Sequence, residues 1–382
     1  VTFFALGWAA ETTFATDEVQ PESVEANPPD PDATVAEALA DAVRNEEIQV
    51  ALKDLTRNRL FRESKVALEL VDLDTGESVF SYGADMGLMP ASTMKVLTSA
   101  TALRELGPSF RFSTQLLTDG KQKGKGLLDG NLYVDGSGDP SMVIEKLWKM
   151  VYDLKLNGIS EIKGNVVFDD SHFDDRNRIA GWNKQEDIDR GPAYFAPIGA
   201  LALNFNTIAV VVRPGEKVGE AATVVAETPS PGIVEIETEV LTGSRRSRRR
   251  VGMERTVDGR KMTLKLTGTI PEGGDPVRYY RSVADPTAYF MAAFAAQMKS
   301  QGIKVRGRYE EGVVPANAKL LLQVQSPPLA SILMDMNKYS SNFIAEQVLK
   351  ALGASNSSGP GSTLKGVEKI SAYLVSLGIS DE

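Results

Sequence analysis

Pro90-Ala91-Ser92-Thr93-Met94-Lys95 is the stretch from which the rest of the sequence is best read. It opens a segment, 91 to about 106, with helical patterning. Gly107-Pro108 stops that segment, because glycine suits a left-handed cap and proline cannot continue a helix. Ser92 and Lys95 stand at i and i+3, neighbours on one helical face, so hydroxyl and amine can approach hydrogen-bond distance. A serine hydroxyl is a weak nucleophile until a base takes its proton. A lysine serves as that base when burial or a second cation lowers its affinity for protons. The positive field of a helix N-terminus favours negative charge developing there. Ser-x-x-Lys alone is a common string; its setting carries the argument. Immediately upstream, β-rich runs at 66–73 and 78–82 flank Asp74-Thr75-Gly76-Glu77, which reads as a hairpin.

A second constellation, Ser340-Ser341-Asn342, lies between Met336-Asn337-Lys338-Tyr339 and Phe343-Ile344-Ala345-Glu346. It puts a hydroxyl and a carboxamide two apart at a predicted helix start. Serine and asparagine are favoured N-caps, and alone the segment would be only a cap. Following Ser92-x-x-Lys95 in chain order, it reads as a second part of the same site.

Composition narrows the options. The 382 residues suffice for two or three domains, and 42% hydrophobic with 24% charged residues is the balance of a globular protein. A net charge of −9 argues against a general nucleic-acid binder. The absence of cysteine removes disulfides, thiolate catalysis and cysteine-ligated zinc. His172 is the single histidine, so multi-histidine metal sites are excluded and a Ser-His-Asp triad would have to use it. No internal run reaches the ~18 apolar residues of a membrane helix.

Along the chain, 1–15 is apolar and rich in small residues and reads as a signal-peptide remnant. Residues 16–34 read as an acidic, Pro-rich, disordered linker, since such a segment cannot bury enough apolar surface to offset its ordering entropy. A helical pattern runs from about 35 to 60. From 113 to 325 short strand-like runs dominate (131–134, 161–168, 207–212, 233–241 and 262–269), interrupted by helices at about 142–156 and 286–301. Helices return at 330–336, 341–352 and 361–377. The expected organisation is a domain made of 35–112 and 326–382, with 113–325 inserted into it as a β-rich region of two subdomains.

Ser-x-x-Lys followed by Ser-x-Asn resembles the penicillin-binding proteins and serine β-lactamases. The gap of about 245 positions between Lys95 and Ser340 resembles one branch of them, the class C low-molecular-mass penicillin-binding proteins, a D-alanyl-D-alanine carboxypeptidase/endopeptidase family. Gly136-Ser137-Gly138-Asp139-Pro140, Asp169-Asp170-Ser171-His172-Phe173, and Ala196-Pro197-Ile198-Gly199-Ala200-Leu201 with Asn204 and Asn206 agree with it, as does Asn337-Lys338-Tyr339-Ser340. The resemblance runs from about residue 45 to the end. It implies an α+β fold: a transpeptidase-like domain of helices packed on an antiparallel sheet, carrying a large β-rich insertion.

The resemblance also implies roles. Ser92 would attack the carbonyl between two D-alanines, Lys95 would take its proton, and Ser340 would relay a proton to the leaving nitrogen. Asn342 would bind the substrate backbone, and the Ser92 N–H would supply half of an oxyanion hole. Asp170, Asp174 and Asp175 fall in the insertion segment that reads the substrate's side chain; Asp174 and Asp175 are taken as candidates, beside the plainer reading of a solvated acidic loop. The implied partners are peptidoglycan stem peptides and β-lactam antibiotics, with no cofactor, no metal, no nucleic acid, no membrane span after signal removal, and an extracytoplasmic address. A β-lactamase on the same fold and a non-catalytic peptidoglycan-binding protein are the competing readings.

One element of the family pattern is missing. No Lys-Thr-Gly follows Asn342; Lys265-Leu266-Thr267-Gly268-Thr269 lies upstream and has one residue too many. The expectation is therefore a fragment with weak or no activity and low stability, lacking the central strand that would cover its helices. The basic run Arg245-Arg246-Ser247-Arg248-Arg249-Arg250 reads as a solvated loop, and Gly136-Ser137-Gly138 lacks the third glycine of a dinucleotide fingerprint.

Overall fold

A computed structural model describes residues 46–178 and 189–379. The expected signal remnant, the linker and the start of the first helix lie outside the described residues. The chain divides into two compact units, 1–89 and 90–382. That division falls inside the 35–112 segment expected from sequence.

In the first unit, helical turns at 46–56 are followed by α1 (Arg59–Glu63), whose N-cap Asn58 accepts from the Leu60 N–H. Strands β1 (Leu68–Val71) and β2 (Ser78–Tyr82) pair antiparallel, as predicted. Asp72 makes the turn: one carboxylate oxygen accepts the N–H groups of Asp74 and Thr75, and Gly76 takes φ +73°.

The second unit begins with α2 (Met94–Glu105), preceded by a 3-10 turn at Ala91–Thr93. Next come β3 (Ser113–Thr118), β4 (Lys121–Lys123), β5 (Leu127–Asp129), β6 (Leu132–Asp135), α3 (Ile144–Leu156), β7 (Glu161–Ile162) and β8 (Val166–Asp169). The middle holds β9 (Thr207–Arg213), β10 (Thr223–Ala226), β11 (Val234–Gly243), β12 (Arg250–Asp258), β13 (Lys261–Pro271), β14 (Val277–Ser282) and α4 (Pro286–Ser300). Then follow β15 (Lys304–Val305), β16 (Tyr309–Glu311), β17 (Lys319–Gln325), α5 (Leu329–Lys338), α6 (Asn342–Ala354) and α7 (Thr363–Ser376).

The inserted strands form four sheets, in the orders β16-β8-β6-β3-β17, β15-β7-β5-β4, β10-β9-β14 and β11-β13-β12. The five-stranded sheet is mixed: β8 pairs parallel to β16 and β6, whereas β3 pairs antiparallel to β6 and β17. The single strand expected at 161–168 is two strands in different sheets, β7 and β8, and Gly164 between them sits where a Cβ would lie 2.5 Å from the Gly130 carbonyl oxygen.

Two apolar cores result. One joins the insertion's sheets to α3 and α4 through Leu132, Val134, Leu147, Phe168, Phe290 and Phe294. The other gathers Ala102 of α2, Leu333 and Met336 of α5, and Phe343, Val348 and Leu352 of α6. Ala196, Ile198, Ala200 and Ala202 belong to this second core, so the insertion helps to build the helical layer. The Gln347 side chain fastens the two by donating to the Gly199 carbonyl at 3.0 Å. The loop at 136–139 is a joint in the same region. Gly138 donates to Ala200 and takes φ +84°, and a Cβ there would strike the Phe173 ring at 2.4 Å.

Helices α6 and α7 approach closely because small residues face each other. A Cβ on Gly366 would lie 2.2 Å from the Leu349 carbonyl oxygen. Among the described residues, α2 and α7 leave Met94, Val96, Leu103, Leu364, Val367 and Val375 exposed. No described helix is long and apolar enough to cross a membrane.

Candidate active site

Ser92 lies in a 3-10 turn at the expected start of the helix, and the α-helix proper begins about one turn later, at Met94. Ala91 before it takes φ +47°, a strained value for a residue with a Cβ. The tighter turn suits the motif, since residues i and i+3 eclipse in a 3-10 helix. Lys95 Nζ accordingly donates to Ser92 Oγ at 3.2 Å.

The second motif arrives on α6. Ser341 caps that helix, its Oγ accepting from the Ile344 N–H at 3.3 Å. Asn342 is then the first helical residue, and its Oδ1 accepts from Lys95 Nζ at 2.8 Å. Asn337, at the end of α5, donates to Ser99 Oγ of α2 at 2.9 Å and ties the turn carrying the motif to the helix that follows Ser92. The Asn342 amide also makes a long 3.5 Å contact to the Tyr194 carbonyl, so the insertion borders the site.

Ser92, Lys95, Asn342, Glu346 and the apolar Val367 and Ile370 line a cavity of about 380 Å³. Lys95 is only 8% exposed. Burial lowers its affinity for protons below that of an ordinary lysine, and the neighbouring Glu346 partly offsets this. The result is an amine shifted toward the neutral form a base requires. A second cavity of about 300 Å³, lined by Pro140, Phe205, Ile332, Tyr339 and Ser341, includes none of Ser92, Lys95 and Asn342.

The profile of the D-Ala-D-Ala carboxypeptidase 3 (S13) family matches residues 47–382. The chain belongs to this family. It is 29% identical over 360 residues to the D-alanyl-D-alanine carboxypeptidase of Actinomadura sp. (strain R39), covering 90% of this chain and 64% of that one. It is 26% identical over 331 residues to the D-alanyl-D-alanine carboxypeptidase DacB of Haemophilus influenzae, covering 86% and 67%. The crystal structure of penicillin-binding protein 4 (dacB) from Haemophilus influenzae superposes with a TM-score of 0.68 at 26% identity, over 81% of this chain and 67% of that one. The chain thus spans about two thirds of the length of these relatives. The S13 membership and the superposition establish the penicillin-binding α+β fold.

Within this S13 chain the structure brings Ser92, Lys95 and Asn342 together. Ser340 sits differently from the expectation. It is exposed at φ +52°, and its hydroxyl makes no hydrogen bond among the described residues, while Asn342 rather than Ser340 meets Lys95. The reason is local: Ser341 takes the cap, which turns Asn342 inward. Asp174 meets an amine, but that amine is the chain's own Lys350, with Nζ to Oδ1 at 2.6 Å and Lys350 1% exposed. Asp170 is likewise engaged internally, accepting from the Leu201 N–H and the Thr287 hydroxyl. Asp175 remains exposed. His172 is an exposed loop residue whose carbonyl accepts from Gly361. Lys265 of the upstream look-alike pairs with Glu239 on a β-sheet. The residue that sequence reading missed is Glu346. Its only signal was its spacing, one helical turn after Asn342 on the same face.

Proposed function

We propose that these residues form the nucleophile side of a serine-type D-Ala-D-Ala carboxypeptidase/endopeptidase acting on peptidoglycan stem peptides outside the cytoplasmic membrane. The observation that carries this reading is Lys95 Nζ held between Ser92 Oγ and Asn342 Oδ1. Ser92 Oγ attacks the carbonyl between the two D-alanines as its proton passes to Lys95. The peptide C–N bond breaks, and the leaving amine receives that proton, with the unbonded Ser340 hydroxyl as relay. Water then hydrolyses the ester and restores Ser92. Asn342, through its amide, orients the substrate backbone, and Asp175 is the remaining acidic candidate for an amine on the substrate's side chain, Asp174 being held by Lys350.

A β-lactam would acylate Ser92 in the same way and leave slowly. The test is labelling with a fluorescent penicillin, with D-alanine release from a stem pentapeptide measured alongside. A Ser92-dependent adduct with D-alanine release supports the peptidase. Rapid turnover of the adduct would favour a β-lactamase. Peptide binding that survives Ser92→Ala, with no adduct, would favour a non-catalytic binding protein.

A further inference from the structure

Glu346 is a half-buried acid that the chemistry above does not use. It stands one turn after Asn342 on α6, so its side chain enters the same cavity as Ser92 and Lys95. Its Oε2 is buried and has no hydrogen-bond partner among the described residues. A buried carboxyl oxygen without a partner costs stability, so its retention needs a reason beyond packing.

The groups around it supply one. From α2, Lys95 faces it; from its own helix, Lys350 lies one turn further on; from α7, the Thr363 hydroxyl approaches it. The α7 side chains that share the cavity, Val367 and Ile370, are apolar. Lys350 is already committed, donating to Asp174 Oδ1 at 2.6 Å and to the Arg176 carbonyl at 2.7 Å. Lys95 is therefore the one facing cation whose protonation changes in the proposed reaction. Burial pushes Glu346 toward the neutral acid, and the two lysines pull it back toward the carboxylate.

Resting on the Ser92–Lys95 reading above, we infer that Glu346 is a positioning residue that controls how readily Lys95 accepts the Ser92 proton. Two opposed effects follow. A carboxylate behind Lys95 favours the resting ammonium, which makes the amine a scarcer base. The same carboxylate stabilises the ammonium as it forms during attack, in a site with little water to do so. Glu346 thus exchanges availability of the base for stability of the protonated product.

The experiment follows Lys95 directly, by NMR titration of the chain labelled with [13Cε]lysine, the resonance being assigned by its loss in Lys95→Arg. In Glu346→Gln the Lys95 titration should move down by about one pH unit. The acid limb of penicillin acylation should move with it, while the high-pH plateau rate falls about tenfold. Glu346→Asp keeps the charge on a shorter arm, and its Lys95 titration should lie between the other two; it also serves should the glutamine variant not fold. An unmoved Lys95 titration in a folded variant overturns the inference, even where a Ser92 adduct forms. A moved titration with no adduct in the parent chain supports the coupling and counts instead against the peptidase reading.

Discussion

The Lys95 amine sits closer to Asn342 Oδ1, at 2.8 Å, than to Ser92 Oγ, at 3.2 Å. Asn342 therefore aims the amine that is the proposed base. Asn342→Ala should slow penicillin acylation by about a hundredfold, the usual cost of losing one aligned polar group in an active site. Asn342→Asp should instead hold Lys95 as ammonium and carry the acid limb of the rate profile to higher pH. Labelling rates measured across the pH range separate the two. Equal profiles in the alanine variant and the parent would refute the aiming role.

The pH dependence of the parent follows from the burial of Lys95. With Lys95 as the proposed base, acylation would need the neutral amine, so the rate should rise with pH and level off once Lys95 has lost its proton. Because burial lowers Lys95's affinity for protons, the rise should be complete below the ~10.4 of a free lysine. Lys95→Arg, which cannot deprotonate in this range, should abolish acylation at every pH. A residual rate with unchanged pH dependence in that variant would assign the base elsewhere.

Asp135 and Asp169 are register partners on the parallel strands β6 and β8. Burial, with the Asp169 charge beside it, pushes the Asp135 carboxyl up to about 6. The folded state thus holds this proton more tightly than the unfolded chain. The stability so gained is complete below about pH 4 and is lost as pH rises through 6. The full shift corresponds to roughly 3 kcal/mol, of which solvent screening at this part-exposed group leaves about 1 kcal/mol. Asp135→Asn should gain that much over the parent between pH 4 and pH 7.5, read from urea unfolding at both. A gap independent of pH would show that Asp135 ionises normally.

Lys350 and Asp174 form a buried pair on which two backbone carbonyls also depend, those of Asp174 and Arg176. Lys350→Met leaves these acceptors without a donor and should cost about 3–5 kcal/mol. Asp174→Asn should also lower the melting temperature without changing discrimination between stem peptides that carry or lack a side-chain amine. A specific loss of amine-bearing substrates in that variant would restore Asp174 as a substrate ligand.

Much of this was legible in the sequence because chain-local signals set it. Gly107-Pro108 marked the end of α2, the 66–82 segment announced its hairpin, and α3 through α7 fell within a few residues of their predicted bounds. Non-local pairing was not legible. The parallel partnership of β11 with β13 depends on contacts between segments that no local pattern identifies. In the site, the i,i+3 spacing was enough to join Ser92 to Lys95. Which of Ser340, Ser341 and Asn342 would meet Lys95 was decided by which one capped α6, and all three residue types are plausible caps. The contact of Asp174 with Lys350 was not legible for a similar reason: the partner lies far along the chain and is invisible to spacing arguments.

The Lys95–Asn342 bond also has a consequence in time. Its ends are 247 positions apart, and a ribosome adding about 5–20 residues per second needs roughly 10–50 s to travel between them. Throughout that interval the serine and lysine exist without the residue that aims them, while the sheets encoded between them can fold. The order of synthesis therefore sets the order of assembly: Ser92 and Lys95 emerge early, and Asn342 can join them only after the sheets between have been made.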